Sequence, residues 1–417
     1  MSDKSKKTHC ILPYMHLYAE PTGLVKPCCI GGEFEDKLSL RDLSVEEAIN
    51  SPQMKQLRKD MSEGIRNSVC MVCYEREDRG ETSPRENFNK NTLWKMPKVG
   101  KDFSVPKDAL QHIDIRFSNL CNFKCRMCGD QLSSSWEAEN KKHLIVTDAW
   151  LQPNTRRKIS NFQVEVLEEE LQAAVDQGVI EEIYWVGGEP LMWERHWTIM
   201  QQLVDSGQSK DVTVRYNTNL SRVTYKKYDL YKMLDNFKNV NICASIDAIG
   251  DIGEYIRTGL KWDEFLDNFN NGRFLIDRYG QDAIVFDVTL TTPGLFGLKD
   301  MFDKVTELDV KSYFKFTYAF DPTKIIAPTA LPKHITIPYC QELIEYMEPR
   351  KTWKTQIYID SLKSLMNRKS FDEEFINYKE GLKRGKNQIL FLEKIREQKL
   401  TFRDILNEPA KEWWDGI

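Results

Sequence analysis

No stretch of this chain approaches the roughly 20 consecutive apolar residues needed to cross a bilayer. No apolar run follows the first residues, MSDKSKKTHC, so nothing there reads as a secretory leader. The expected location is the cytoplasm, with no membrane partner. A basic surplus is also missing: 59 Lys and Arg against 63 Asp and Glu leave a net charge of −4, which gives no footprint for nucleic acid. The six histidines fall at no metal-ligand spacing. Cysteine is sparse beyond Gly129, where only Cys243 and Cys340 remain of ten. In a reducing compartment the eight clustered sulfurs before that point read as ligands rather than disulfides.

What is present begins with an ordinary globular composition, 41% hydrophobic and 29% charged. The 417 residues suffice for a large core, expected as one α/β domain with small appendages. The chain is organised around RFSNLCNFKCRMCG, residues 116–129. There Cys121, Cys125 and Cys128 are spaced C-x3-C-x2-C at the end of a predicted strand, His112 to Ser118. Three thiolates on one short loop can hold three corners of a cubane iron–sulfur cluster and leave the fourth iron open to a small molecule. On spacing alone a zinc knuckle is the competing reading.

A second set of sulfurs lies nearer the start. Cys10 precedes a predicted hairpin turned at Pro21-Thr22-Gly23 and closed by Cys28 and Cys29. A helix follows over 45–61, with Ser44 as N-cap and Glu47 placed for a capping box. Cys70 and Cys73 then form a C-x2-C pair. Four such sulfurs suit either a tetrahedral zinc site or a fully protein-ligated cluster. Residues 81–109 are polar and read as a surface linker. Two helical stretches are expected over 130–180, separated by Gln152-Pro153-Asn154, the second running from Val164 to Gln177.

From Glu182 strands and helices alternate. Strands are predicted at 182–186, 212–217, 240–246, 284–290 and 312–318, with helices between them such as 225–237 and 298–308. With the strand at 112–118 this makes six βα units, too few for a closed eight-stranded barrel. Period-two reading places Asp114, Arg116, Ser118; Thr213, Arg215, Asn217; Asn241, Cys243, Ser245, Asp247; Asp287, Thr289; and Lys315, Thr317 on polar rows. The helix-covered face of such a sheet is apolar, so these rows are expected to line an interior cavity for a polar ligand. Beyond Pro338 the chain is expected to be helical and charged, with Trp413 and Trp414 free to dock on the barrel or on a partner. Cys243 reads as a small buried thiol, with approach to substrate as the alternative, and Cys340 is too isolated to complete a second auxiliary cluster.

C-x3-C-x2-C after a strand resembles the signature loop of radical S-adenosylmethionine (SAM) enzymes. That resemblance implies a [4Fe-4S] cluster on Cys121, Cys125 and Cys128, with SAM on its open iron, cleaved to a 5′-deoxyadenosyl radical. It also implies a partial (β/α)6 TIM-like barrel. Gly187-Gly188-Glu189-Pro190 matches the family's GGEP motif, which cradles the SAM amino group. Asn217 and Asn219 stand where ribose contacts are often found. Ser245 and Asp247 resemble the S-x-D strand end, and Arg257 a downstream arginine that grips the SAM carboxylate. Met127 replaces the aromatic that many members carry, and its thioether can pack on adenine.

Gly23 to Cys28 as G-x4-C, a helix with a basic Leu57-Arg58 end, then C-x2-C resembles the half-SPASM or twitch module, here placed before the barrel. This implies an auxiliary [4Fe-4S] cluster on Cys10, Cys28, Cys70 and Cys73, with Cys29 as the alternative to Cys28. The implied boundaries are 1–80 for the module, 81–109 for the linker, 110–320 for the barrel and 321–417 for a helical extension. The implied function is hydrogen abstraction from a peptide or protein substrate, with the auxiliary cluster for electron transfer and an electron donor such as flavodoxin or ferredoxin. A radical SAM dehydrogenase of a sugar-like or cofactor-like molecule is the alternative; a non-catalytic iron–sulfur or zinc scaffold is the second. No catalytic acid or base is identifiable from sequence.

Overall fold

The computed structural model describes residues 7–78, 80, 82–90, 96–106, 109, 112–116, 118–145, 168–178, 180–319 and 321–417. Gln152-Pro153-Asn154, residues 164–167 and Phe117 lie outside the described residues. The chain divides into two compact units, Met1–Leu120 with Ala138–Gly188, and Cys121–Glu137 with Glu189–Ile417.

In the first unit, strand His16–Ala19 pairs antiparallel with Leu24–Lys26, Tyr18 opposite Lys26. Gly23 turns the hairpin at a φ of 82°, a conformation open to glycine, and its N–H donates to Glu20 O at 2.8 Å. Leu24–Lys26 pairs in turn with Leu38–Ser39. The other edge of His16–Ala19 pairs in parallel with His112–Ile115, so the strand leading to the three-cysteine loop belongs to the N-terminal sheet. Periodicity names a strand's faces but never its partner, which is why this pairing was not foreseen.

The capping box forms as expected: Ser44 N donates to Glu47 Oε2 at 2.8 Å and Glu47 N to Ser44 Oγ at 3.2 Å. The helix expected over 45–61 is two helices, Val45–Ile49 and Pro52–Glu63. Pro52 lacks an N–H and restricts its predecessor, while Ser51 Oγ accepts from Met54 N and starts the second helix afresh. Of the described residues of 81–109, expected to run over the surface, several such as Lys101 and Asp102 are exposed, and others anchor in the core. Val105 and Ala109 are buried in the core with Leu17, Ile49, Met54 and Leu57, and Val105 and Asn50 exchange two hydrogen bonds of 2.9 Å. Polar composition misled here because those polar groups satisfy backbone atoms inside the unit.

In the second unit, strands Thr213–Thr218, Asn239–Ser245, Ile284–Leu290 and Ser312–Phe316 lie side by side in that order, all parallel. Their apolar rows are covered by helices: Phe269 of helix Trp262–Gly272 meets Phe286 edge-on at 4.5 Å, and both are fully buried. Burying each such ring is worth about 1.5–3 kcal/mol. Their polar rows share the opposite face, where Asn217 Nδ2 and Lys315 Nζ reach Asp287 Oδ2 at 3.2 and 2.5 Å. The helix expected over 225–237 shrinks to Leu230–Leu234, because the Asp229 side chain caps Lys232 N.

The C-terminal region is helical, including Lys333–Met347, Gln356–Asn367, Tyr378–Ile395 and Glu408–Gly416. Trp414 docks internally, stacked on Phe402 at 4.5 Å. All six expected strands exist, the remaining two being His112–Ile115 and Glu182–Trp185 of the first unit. Parallel strands, covering helices and a helical C-terminal region agree with an α/β fold of the partial TIM-like barrel type. Among the described residues no helix is long and apolar enough to cross a membrane.

Candidate cluster and cofactor site

Local hydrogen bonds shape the three-cysteine loop. Ser134 Oγ accepts from Cys121 N at 3.1 Å, and Ser135 Oγ donates to Cys121 O at 2.8 Å. Ser133 Oγ donates to Phe123 O at 2.6 Å, and Trp136 Nε1 to Cys125 O at 2.8 Å. Lys124–Cys125 forms a short antiparallel ribbon with Arg257–Thr258, placing Arg257 opposite Cys125. Gly259, at a φ of 113°, completes this contact, since a Cβ there would stand 2.8 Å from the Phe123 ring. No sequence signal marked Gly259 or Trp136.

Cys125 is buried, and Cys121 and Cys128 are half-buried. Burial pushes the Cys125 thiol up to about 12, against the pull of Arg257, whose Nη1 lies 3.9 Å from the sulfur. Burial raises Cys121 and Cys128 as well, and Lys324 and Arg257 draw Cys128 back. Lys324 Nζ also donates to Met127 O at 3.2 Å. Lys324 lies in coil after the last strand and was missed; nothing in its neighbourhood of the sequence flags it.

Among the described residues no three or more His, Cys, Asp or Glu side chains are assembled around a single metal ion. The donor set nevertheless fits a cubane: three soft thiols on one loop, two of them beside cations able to offset thiolate charge. Cys121, Cys125 and Cys128 would hold such a cluster.

The expected cofactor residues separate into those brought together and those placed otherwise. Asp247 and Arg257 form a buried two-point ion pair, Nη2 to Oδ1 at 3.0 Å and Nε to Oδ2 at 2.7 Å. Asp247 Oδ1 also accepts from Thr289 N at 2.9 Å. Asp247 therefore orients the guanidinium, and Nη1 is the nitrogen aimed at the cysteine loop. Glu189 is buried and accepts from Leu191 N at 3.0 Å, Thr218 Oγ1 at 2.7 Å and Asn219 N at 2.6 Å. Burial raises its carboxyl to about 7, against these three donors. Three of a carboxylate's four or so lone-pair positions are used, leaving room for one further donor.

The Asn219 amide is committed to Asn122 Oδ1 at 3.0 Å, within the cysteine loop, and Asn217 to Asp287. Ser245 ends its strand level with Asp287. Pro190 opens a short 3-10 turn capped by the Glu189 side chain.

Gly187 and Gly188 belong to the first unit. Gly187 has a φ of 135°, and a Cβ on Gly188 would stand 2.4 Å from Leu120 O. Gly188 N donates to Ser118 O at 2.8 Å. The second glycine is thus required by the backbone leading into the cysteine loop.

Also in the first unit, burial and mutual repulsion raise Cys10, Cys28 and Cys70. Cys10 feels Cys70 and Cys73; Cys28 feels Cys29, Cys10 and Cys73; Cys70 feels Cys28 and Cys73. Cys29 is exposed and also acts on Tyr18 and Arg116. Arg85 lowers Cys10, Cys70 and Cys73 while paired to Glu77 at 2.6 Å. Arg85 lies in the stretch expected to be a linker. Cys243 is a buried free thiol, as expected, and Cys340 is buried as well.

Residues 115–308 match the family model described as the Radical SAM superfamily. No curated protein matches the chain. Among solved structures, native anSMEcpe with bound AdoMet is similar at 17% identity and a TM-score of 0.36, over 61% of this chain and 62% of that one. Native anSMEcpe with bound AdoMet and Cp18Cys peptide is similar at 16% identity and 0.31, over 55% and 59%. The chain thus spans about three fifths of these structures, and at such scores neither likeness carries an argument. The family model lies over the cysteine loop and the strands up to residue 308, so residues 115–308 form a radical SAM domain, of the kind that works with a [4Fe-4S] cluster and SAM.

Proposed function

We propose that the substrate is a peptide or protein side chain, and that a second [4Fe-4S] cluster on Cys10, Cys28, Cys70 and Cys73 carries electrons. When bound at the first site, the cluster and SAM supply a 5′-deoxyadenosyl radical that abstracts hydrogen. This chain's own part is to hold them: Cys121, Cys125 and Cys128 at the iron, Glu189 toward the ammonium, Arg257 toward the carboxylate, with Met127, Pro190, Asn217, Asn219, Ser245 and Asp247 shaping the surroundings.

The observation that carries the second cluster is that Cys10 is buried in the core of the first unit with half-buried Cys28 and Cys70 packed against that core, where the thiols raise one another by like repulsion. Four protein thiolates saturate a cubane, so such a cluster suits electron transfer rather than substrate binding. On this reading residues 1–80 are the auxiliary module, 81–109 its packed continuation, 110–320 the barrel and 321–417 the extension. The peptide substrate rests on the company such modules keep, and a flavodoxin- or ferredoxin-type donor would supply the first electron.

The test is release of 5′-deoxyadenosine by the reconstituted, dithionite-reduced protein. A short peptide encoded beside this gene should raise release well above the basal rate. A sugar-type polyol that raises it where the peptide does not would move the substrate to the small-molecule class.

A further inference from the structure

Three residues of the cysteine loop, Lys124, Arg126 and Met127, are held directly by residues beyond the radical SAM domain, and Cys125 is held through Trp136. Arg396 Nη1 donates to Lys124 O at 3.0 Å and to Thr258 Oγ1 at 3.2 Å. Its guanidinium lies 4.4 Å over the ring of Trp136, and Trp136 in turn donates to Cys125 O. Arg126 Nη2 donates to Gln398 Oε1, while Arg126 Nε donates to Tyr255 O at 3.1 Å and its guanidinium lies 3.9 Å over the Tyr255 ring. Tyr255 is tied on by its hydroxyl, which donates to Glu393 Oε1 at 2.6 Å. Glu393 Oε1 also accepts from Phe402 N at 2.6 Å. Met127 O accepts from Lys324.

We propose that the C-terminal extension is a clamp on the three-cysteine loop, and that Arg396 is its principal positioning residue. The radical SAM match ends at residue 308, whereas Lys324, Glu393, Arg396 and Gln398 all follow it. A loop of eight residues bearing three ligands has few backbone bonds of its own. Its shape before and after loading depends on what fixes its carbonyls. Arg396 does this at two points: directly at Lys124 O, and through Trp136 at Cys125 O. Its charge on an aromatic face and its bonds to two oxygens are donor arrangements that a planar guanidinium supplies and an aliphatic side chain cannot. Held this way, the loop presents its sulfurs in one geometry and lets iron go slowly.

The proposal rests on the cysteine loop holding a cluster, and the test separates the two. Full-length protein is reconstituted anaerobically as wild type, Arg396→Ala, Arg396→Lys and the control Arg403→Ala. Arg403 pairs with Asp415 at the surface of the same extension and touches no part of the loop. The readout is the electron paramagnetic resonance signal of the reduced, SAM-responsive cluster, followed during exposure to an iron chelator.

Arg396→Ala should lose that signal about tenfold faster than wild type, the scale of one or two charge-assisted hydrogen bonds, and its SAM-induced shift should broaden. Arg396→Lys should recover part of the difference, and Arg403→Ala should match wild type. A wild-type protein with no SAM-responsive signal overturns both readings. Wild-type behaviour in Arg396→Ala overturns the clamp and leaves the cluster standing. If Arg396→Ala does not fold, Gln398→Ala decides: faster loss supports the clamp, an unchanged rate overturns it.

Discussion

Cys125 lies beside the Arg257 guanidinium and Cys128 near the Lys324 ammonium, whereas in the first unit Cys10 is buried in apolar core and half-buried Cys28 and Cys70 pack against it. The cations near the first set come from distant segments that were free to be recruited. Near the second set, Arg85 is paired to Glu77, as Arg257 is to Asp247. The comparison teaches that the first set has two cations placed to offset thiolate charge. The second lies largely among other thiols, and a metal that took up four thiolates at once would relieve their repulsion.

The largest expected effect breaks that comparison at its base. Replacing Cys121, Cys125 and Cys128 together by Ala should abolish 5′-deoxyadenosine release and remove about half of the roughly eight irons of two cubanes. Replacing Cys70 and Cys73 should remove the other half and leave release measurable, with product formation uncoupled from it. If the two variants behave alike, the two sets are not functionally distinct.

Within the first unit, Cys28→Ser should lower the iron content by up to about four per chain, while Cys29→Ser should leave it unchanged. The reverse result would make the exposed cysteine the ligand.

A third expectation concerns packing alone. Arg58 is fully buried and donates to Pro13 O, Phe103 O and Ile49 O at 2.7, 2.8 and 2.5 Å, tying three segments of the first unit together. Arg58→Met leaves three carbonyls unpaired and should cost about 3 kcal/mol or more, read by denaturant unfolding of that unit. A loss under about 1 kcal/mol would show that the segments hold without it.

The last effect belongs to the second unit and is confined to acid pH. His196 is buried with one ring nitrogen 2.8 Å from Tyr216 Oη, and burial lowers its pKa to about 3. The unfolded chain binds a proton there below about 6.5 and the folded chain does not. Its stabilising contribution is therefore complete above about 6.5 and is lost as pH falls toward 3, at up to about 1.4 kcal/mol per pH unit. His196→Phe should remove that component of the acid slope in thermal unfolding.

Much of this was legible beforehand because it is local. The hairpin turn at Gly23, the Ser44–Glu47 box, the strand positions and the alternation of polar and apolar rows follow from spacing and from each residue's own conformational preference. The meeting of Asp247 with Arg257 was not legible, although both were singled out, because ten residues of separation say nothing about an ion pair across a turn. The glycines of GGEP were expected to admit a ligand, and for Gly188 the neighbour that demands a missing Cβ is the chain's own backbone at Leu120.

By itself the sequence determined the chemistry available: three thiols on one loop, four more near the start, a carboxylate and an arginine at strand ends, and strands in the right number. Those are properties of residue type and short-range spacing, and the backbone has little freedom to overrule them. Only the tertiary structure decided which long-range groups stand beside which sulfur. Lys324 near Cys128, Arg85 near Cys10, Arg396 on Lys124 and the parallel pairing of His16–Ala19 with His112–Ile115 all join residues at least 75 positions apart. Such contacts are fixed by the summed packing of whole elements, to which no single stretch of sequence carries the key.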